Sequence, residues 1–228
     1  MGAVPEGEAW TPPATRELTA GGGRVLRYCC YGPADGLPVV SLAGTPGTRW
    51  ERPDVISAFE RAGLRVVVPD RPGYGGSTRQ PGRTVADVAA DVQMIADAHG
   101  WPRFAVTGFS GGSPHALACA ALLAPRVTCC AAVATPAPAD AAGVDLGGLD
   151  GWVDDDIALV RPWGFDLASI SVPVSIWHGT RDTRVPRAHT DWLLAHLPSA
   201  QRYEHPDGHD PSDASYRQIL RWITVSAG

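Results

Sequence analysis

Residues 103–112 read Arg103-Phe104-Ala105-Val106-Thr107-Gly108-Phe109-Ser110-Gly111-Gly112, followed by an apolar helix-like run from His115 to Leu123. A β-type stretch thus runs straight into a serine set between glycines, and a helix starts directly after it. Glycines tolerate a sharp strand-to-helix turn that pushes one hydroxyl out at the top of a sheet. This reading makes Ser110 a candidate nucleophile and its turn a nucleophile elbow. The pattern is short, so its surroundings have to carry it.

Around the elbow, strands and helices alternate. Arg24 to Tyr31 and Pro38 to Ala43 read as strands, joined by a Gly/Pro turn at residues 32–36. Asp54 to Ala62 has helical apolar spacing and stops at Gly63. Leu64 to Val68 is a β-branched run suited to a strand buried on both faces. Thr84 caps a helix over Val85 to Ala98, with apolar residues recurring every three or four positions. Strand 103–108, helix 114–123 and strand 127–134 come next. Further strands are expected at Val172 to Trp177 and Ala200 to His205, and helices at Pro186 to Leu197 and Asp213 to Val225. This order predicts an α/β chain with a doubly wound, mostly parallel sheet and helices on both faces. The 228 residues are expected to form a single domain, 1–228, with a loose Pro/Gly-rich leader at 1–15.

Composition narrows the function. The net charge of −5 argues against a nucleic-acid partner. Five cysteines, two pairs of them adjacent, are expected as buried reduced thiols. No Cys-x-x-Cys or Cys/His ligand spacing occurs, so no structural zinc is expected, and chemistry on a serine nucleophile would need neither a metal nor an organic cofactor. No apolar run approaches the ~18 residues of a membrane span, no signal core opens the chain, and Glu6 breaks the myristoylation pattern. A cytoplasmic protein with a small-molecule substrate and no membrane partner is expected.

Acyl transfer at Ser110 needs a base, an acid that orients the base, and donors for an oxyanion. In chain order, a sheet of this kind supplies Ser, then Asp or Glu, then His. Asp182 follows the strand near 172–177, and His209 follows the strand near 200–205, each on a loop able to converge over Ser110. The alternative role for Asp182 is a charge before the helix at Pro186. His205 is the rival of His209, which is preferred because Gly208 permits a tight loop. His99, His115, His178, His189 and His196 read as structural. The turn 43–48 offers the backbone N–H of Thr45 as one oxyanion donor, with that of Gly111 as the other.

By these residues the chain resembles the α/β-hydrolase superfamily from about Arg16 to Ile223. The resemblance is carried by AGTPGTRW (43–50), VVVPDRPGYGGS (66–77), GFSGGSPHALA (108–118), HGTRDTRVP (178–186) and DGH (207–209). It implies Ser110 as nucleophile, His209 as base and Asp182 as orienting acid, with Asp70 and Arg71 as scaffold beneath the site. Two departures stand out. The family usually has His-Gly at the oxyanion turn, where this chain has Ala43-Gly44, so a looser oxyanion hole is expected. A lid of several helices is usual between the strands near 127–134 and 172–177, but here only residues 135–171 connect them. The first half of that segment is expected to form no helical lid, and the second half one helix ending at Pro162. Trp152, Trp163 and Phe165, together with Phe109, are candidate substrate-binding residues. So short a cap predicts a cleft open to a bulky substrate, or a site completed by a second copy in a homodimer.

The function expected is hydrolysis of a carboxylic ester, lactone, thioester or small amide through an acyl-enzyme on Ser110. The alternative is C–C cleavage, lyase or cyclase chemistry on a biosynthetic intermediate at the same residues. A binding protein without turnover is the third reading. Asp140 and Asp145 stand in reserve should Asp182 prove dispensable.

Overall fold

The computed structural model describes residues 13–137 and 150–228. Most of the expected leader, and the first half of the crossing segment with Asp140 and Asp145, lie outside the described residues.

Eight strands form one sheet: β1 (Arg16–Ala20), β2 (Arg24–Tyr31), β3 (Leu37–Leu42), β4 (Leu64–Pro69), β5 (Phe104–Phe109), β6 (Val127–Val133), β7 (Val174–Gly179) and β8 (Ala200–His205). Their order is β1-β2-β4-β3-β5-β6-β7-β8. The β1–β2 and β2–β4 pairs are antiparallel, and every other pair is parallel. Six α-helices pack around the sheet: α1 (Pro53–Arg61), α2 (Val88–Ala98), α3 (Ser113–Leu122), α4 (Asp150–Leu159), α5 (Arg187–His196) and α6 (Asp213–Ala227). The sheet is the expected doubly wound one.

The period of two along a strand explains the two-sided core. Val40, Leu42, Val106 and Ala132 pack with Val88, Val92 and Leu117 of α2 and α3. Their strand neighbours Val39, Val66, Ala105 and Ala131 pack on the other face with Phe59 of α1 and Ile219 and Ile223 of α6. Each such aliphatic side chain, fully withdrawn from water, contributes roughly 1.5–3 kcal/mol. Adjacent cysteines obey the same alternation. Cys129 and Cys130 enter opposite cores, and all five thiols are free.

Two elements differ from the expectations. The edge strand β1 was not anticipated, because only Ala20 of its five residues is buried. The N-terminus of the helix expected at Val85 is a 3-10 turn over Val85–Asp87, closed by a reciprocal Thr84/Asp87 capping box before α2 begins.

The strand order reverses at β3. β4 lies on one side of it and β5 on the other, with Leu42 paired to Gly108. Connections leaving the carboxyl ends of β3 and β5 diverge to opposite faces and open a crevice there. Turn 43–48 and the Ser110 elbow therefore face each other across it.

Candidate active site

The elbow is built by close packing. Ser110 takes a left-handed φ of 49°, rare for a residue with a Cβ. Gly108 and Gly112 are required beside it. A Cβ on Gly108 would press on the backbone of Gly112 and Ser113, and one on Gly112 on the carbonyls of Leu42 and Ala43. The Ser113 hydroxyl fastens the turn to β6, lying 2.7 Å from the Gly108 carbonyl and accepting from Val133 N at 3.1 Å. Pro114 stands in the first turn of α3, where a missing N–H costs nothing.

Two loops from β7 and β8 are zipped together over this elbow. Thr180 N donates to the His205 carbonyl at 2.9 Å, and Arg181 N to the Asp207 carbonyl at 3.0 Å. They bring His209 Nε2 to 3.0 Å from Ser110 Oγ, and His209 Nδ1 to 2.9 Å from Asp182 Oδ2. The other carboxylate oxygen of Asp182 accepts from Arg184 N at 2.8 Å and Val185 N at 3.0 Å. Burial pushes the Asp182 carboxyl up, but the N–H of Val185, His209 and the N–H of Arg184 outweigh it and hold the group below its ordinary value. An ionised Asp182 makes His209 Nδ1 the donor, leaving Nε2 free to accept the serine proton. His205 is not part of this chain of contacts. It is buried and turned to Asp207 at 3.1 Å, while Asp207 also accepts from Ser212 N at the start of α6.

The oxyanion turn stands against the elbow. A Cβ on Gly111 would lie 3.3 Å from Thr45 N, so the two proposed donors are neighbours. Gly111 belongs to the first turn after the strand, where backbone N–H groups have no intrahelical acceptor. The turn has no histidine, yet it is not loose. Arg71 donates to the carbonyls of Ala43 and Gly44, the latter at 3.0 Å, and to Thr45 Oγ1 at 3.1 Å. Thr45 Oγ1 in turn donates to Asp155 Oδ2 at 2.8 Å. The expectation of a loosened turn is corrected by this clamp.

A family model described as the α/β-hydrolase fold matches residues 38–159, more than half of the chain. The chain belongs to the α/β-hydrolase fold family. A candidate carbamate hydrolase, RutD, of Variovorax paradoxus is 36% identical over 89 residues, which make up 38% of this chain and 34% of that protein. The match thus spans about a third of that relative's length. A hydrolase from Pseudomonas aeruginosa superposes with a TM-score of 0.74 at 19% identity, covering 93% of this chain and 97% of the other. The esterase RhEst1 from a Rhodococcus species gives 0.74 at 20% identity, covering 94% and 99%.

In this α/β-hydrolase the described part of the cap is helix α4, and two of its three successive aspartates fix it. Asp154 pairs with Arg79 at 2.8 Å. Asp155, fully buried, accepts from Arg71 at 2.5 Å, Arg83 at 2.6 Å and Tyr74 Oη at 2.9 Å, besides Thr45. Burial alone would raise its pKa; Arg71, His115 and Arg83 instead hold it well below the usual carboxylate range. Asp156 faces the cleft, and burial with its neighbour Asp155 pushes its carboxyl up to about 6.

The cleft over Ser110 has a volume of about 440 Å³, and its lining includes Thr45, Phe109, Asp156, Leu159 and Arg184. The aromatic residues of the cap do not line it, which corrects part of the expected substrate-binding set. Trp163 is turned into the core, with Nε1 donating to the Leu159 carbonyl at 3.1 Å, and Phe165 stacks on it at 6.0 Å between ring centres. Trp152 is half-buried on α4. Helix α4 ends at Leu159, before the expected stop at Pro162. Phe109 does line the cleft, its ring 5.1 Å from that of His209. Among the described residues no group of three or more His, Cys, Asp or Glu could hold a metal, and no helix is long and apolar enough to cross a membrane.

The Asp155 clamp escaped sequence reasoning. A run of three aspartates in a helix normally marks a solvated face, and the partners of Asp155 are scattered along the chain. The signal available was the pair Arg71 and Arg83 in apolar surroundings, which need a buried counter-charge.

Proposed function

We propose that the chain is a serine hydrolase that cleaves a carboxylic ester or a related acyl bond (lactone, thioester or small amide) through an acyl-enzyme on Ser110. The observation that carries this reading is the continuous relay from Ser110 Oγ through His209 to Asp182, with both links at or under 3.0 Å. His209 takes the serine proton as Oγ attacks the acyl carbon, and returns it to the leaving group. Water, activated by the same nitrogen, then releases the acid. The N–H groups of Thr45 and Gly111 receive the negative charge that develops on the acyl oxygen. Asp182 keeps His209 in the tautomer this requires. The family, and the hydrolase and esterase names of its structural relatives, support the same class. The alternative, lyase or cyclase chemistry, drew on the short lid and on Ala43; the Arg71–Asp155 clamp on turn 43–48 supports the hydrolytic reading over it.

The test is covalent labelling by a fluorophosphonate. Folded wild-type protein is expected to be labelled once, and Ser110→Ala not at all. An unlabelled wild type would sink the proposal, and labelled Ser110→Ala would move the nucleophile elsewhere. With an ester that is turned over, labelled water places its oxygen in the acid product if the reaction is hydrolysis.

A further inference from the structure

A second chamber, of about 460 Å³, lies behind the Ser110 cleft. Its floor is the carboxyl edge of the sheet, at Leu42, Gly108 and Val133, and its sides are α1 and α6. The two cavities share Gly44, Pro46, Phe109 and Asp210 as a common wall. The Phe109 ring is therefore the partition between them. It packs close to Gly44, where a Cβ would come within 3.2 Å of it.

Glu51 lines this chamber, where the Arg52 charge acts on it but makes no ion pair with it. Its backbone N donates to Tyr31 Oη at 3.1 Å, which fixes the residue in place. The adjacent Arg52 is already engaged with Asp54 at 2.9 Å. Among the described residues no hydrogen bond or ion pair takes the Glu51 carboxylate. A half-buried carboxylate without a hydrogen-bond partner is poorly solvated, and a cation or strong donor entering the chamber offsets that cost. Val55, Ala58 and Phe109 offer apolar surface for the stem of such a group, and Tyr216 stands near the carboxylate.

We propose that this chamber is the subsite for a substrate arm ending in a primary ammonium group, with Glu51 as its counter-ion. The proposal rests on hydrolysis at Ser110, whose cleft adjoins the chamber along Gly44, Pro46, Phe109 and Asp210. Burial pushes the Glu51 carboxyl up to about 7, with Arg52 working against this and Asp54 with it. The other groups around the chamber are Tyr31 of β2, Arg61 of α1, Asp210 of the His209 loop, and Asp213, Tyr216 and Arg217 of α6. Recognition of a fixed cation by Glu51 therefore strengthens as pH rises through about 7, where the carboxyl ionises.

The experiment compares para-nitrophenyl esters whose acyl chain ends in an ammonium group with isosteric esters ending in methyl. A matched pair carrying the ammonium on the alcohol arm is run beside them. The readout is the ratio of kcat/KM within a pair, in which effects common to both esters cancel. Wild type is expected to favour one ammonium ester by about tenfold to a hundredfold, the range of a charge-assisted hydrogen bond. That ratio rises with pH through about 7. Glu51→Gln, verified as folded by its melting curve, is expected to bring the ratio close to one and flatten its pH dependence. A ratio unchanged by Glu51→Gln in both pairs overturns the proposal. Titration of the Ser110→Ala protein with n-butylammonium chloride separates this question from catalysis. Binding that Glu51→Gln removes supports the subsite even if no ester is hydrolysed, and absence of binding together with a ratio near one in wild type overturns it.

Discussion

Asp182 meets His209 with one carboxylate oxygen at 2.9 Å and gives its other oxygen to the backbone N–H groups of Arg184 and Val185. The carboxylate is thus held by its own loop before it holds the histidine. Changing Asp182 to Asn keeps the shape but offers an N–H to Nδ1, which favours the wrong tautomer. The expected loss in kcat on a chromogenic ester is on the order of 10⁴-fold. Full activity in Asp182→Asn would remove it from the relay.

Ser110 keeps its left-handed φ of 49° against a conformational cost of roughly 1–2 kcal/mol for a residue with a Cβ. Ser110→Gly relieves that strain, whereas Ser110→Ala retains it. Allowing for the greater freedom of glycine in the unfolded chain, the Gly variant is expected to be about 0.5–1 kcal/mol more stable than the Ala variant. Urea denaturation of the two inactive proteins measures the difference, and equal stabilities would show that the elbow is unstrained.

Asp155 is the carboxylate that Arg71 and Arg83 share in the buried interior of the cap. Asp155→Asn leaves two guanidinium groups without their counter-charge and is expected to cost ~3–5 kcal/mol in folding free energy. It also frees Thr45, so kcat falls beyond any effect on stability at the assay temperature. The contribution of the wild-type carboxylate is complete above the unfolded value of about 4. It declines as the pH falls below that range, because the folded group resists protonation.

His115 is fully buried beneath the same clamp, with Nδ1 2.9 Å from the Gly111 carbonyl. Burial lowers its pKa to about 3, and Arg71 and Arg83 add to this while Asp155 opposes it. The unfolded chain takes up a proton near pH 6.5 that the folded chain refuses. Stability conferred by the neutral ring is accordingly lost as pH falls from about 6.5 toward 3. Denaturant unfolding at pH 7 and at pH 4.5 is expected to show a smaller decline for His115→Gln than for wild type. An identical decline would mean that other groups set the acid sensitivity.

Much of this architecture was legible because it depends on local rules. The two-residue alternation of Val39-Val40 and Ala131-Ala132 assigns a sheet buried on both faces, and Gly108 and Gly112 announce a turn no bulkier residue could make. Asp182 and His209 were found because a parallel sheet delivers its loops to one edge, so chain order stands in for position. Strand β1 was missed for the opposite reason: an exposed edge strand buries almost nothing and leaves no pattern. Trp163 was read as lining the cleft because an aromatic residue near a site looks available until the Leu159 carbonyl and the core claim it. Asp155 lay beyond reach because its meaning comes from Thr45, Arg71, Tyr74 and Arg83, side chains that only the folded chain brings together.

The double engagement of Asp155 couples helix α4 to turn 43–48. A helix whose carboxylate also secures Thr45 cannot swing like a hinged door, since each opening would drag the oxyanion turn away from Gly111. The cap behaves instead as a keystone: with it seated the machinery is complete, and with it lifted there is none. Any movement of helix α4 is therefore also a movement of Thr45.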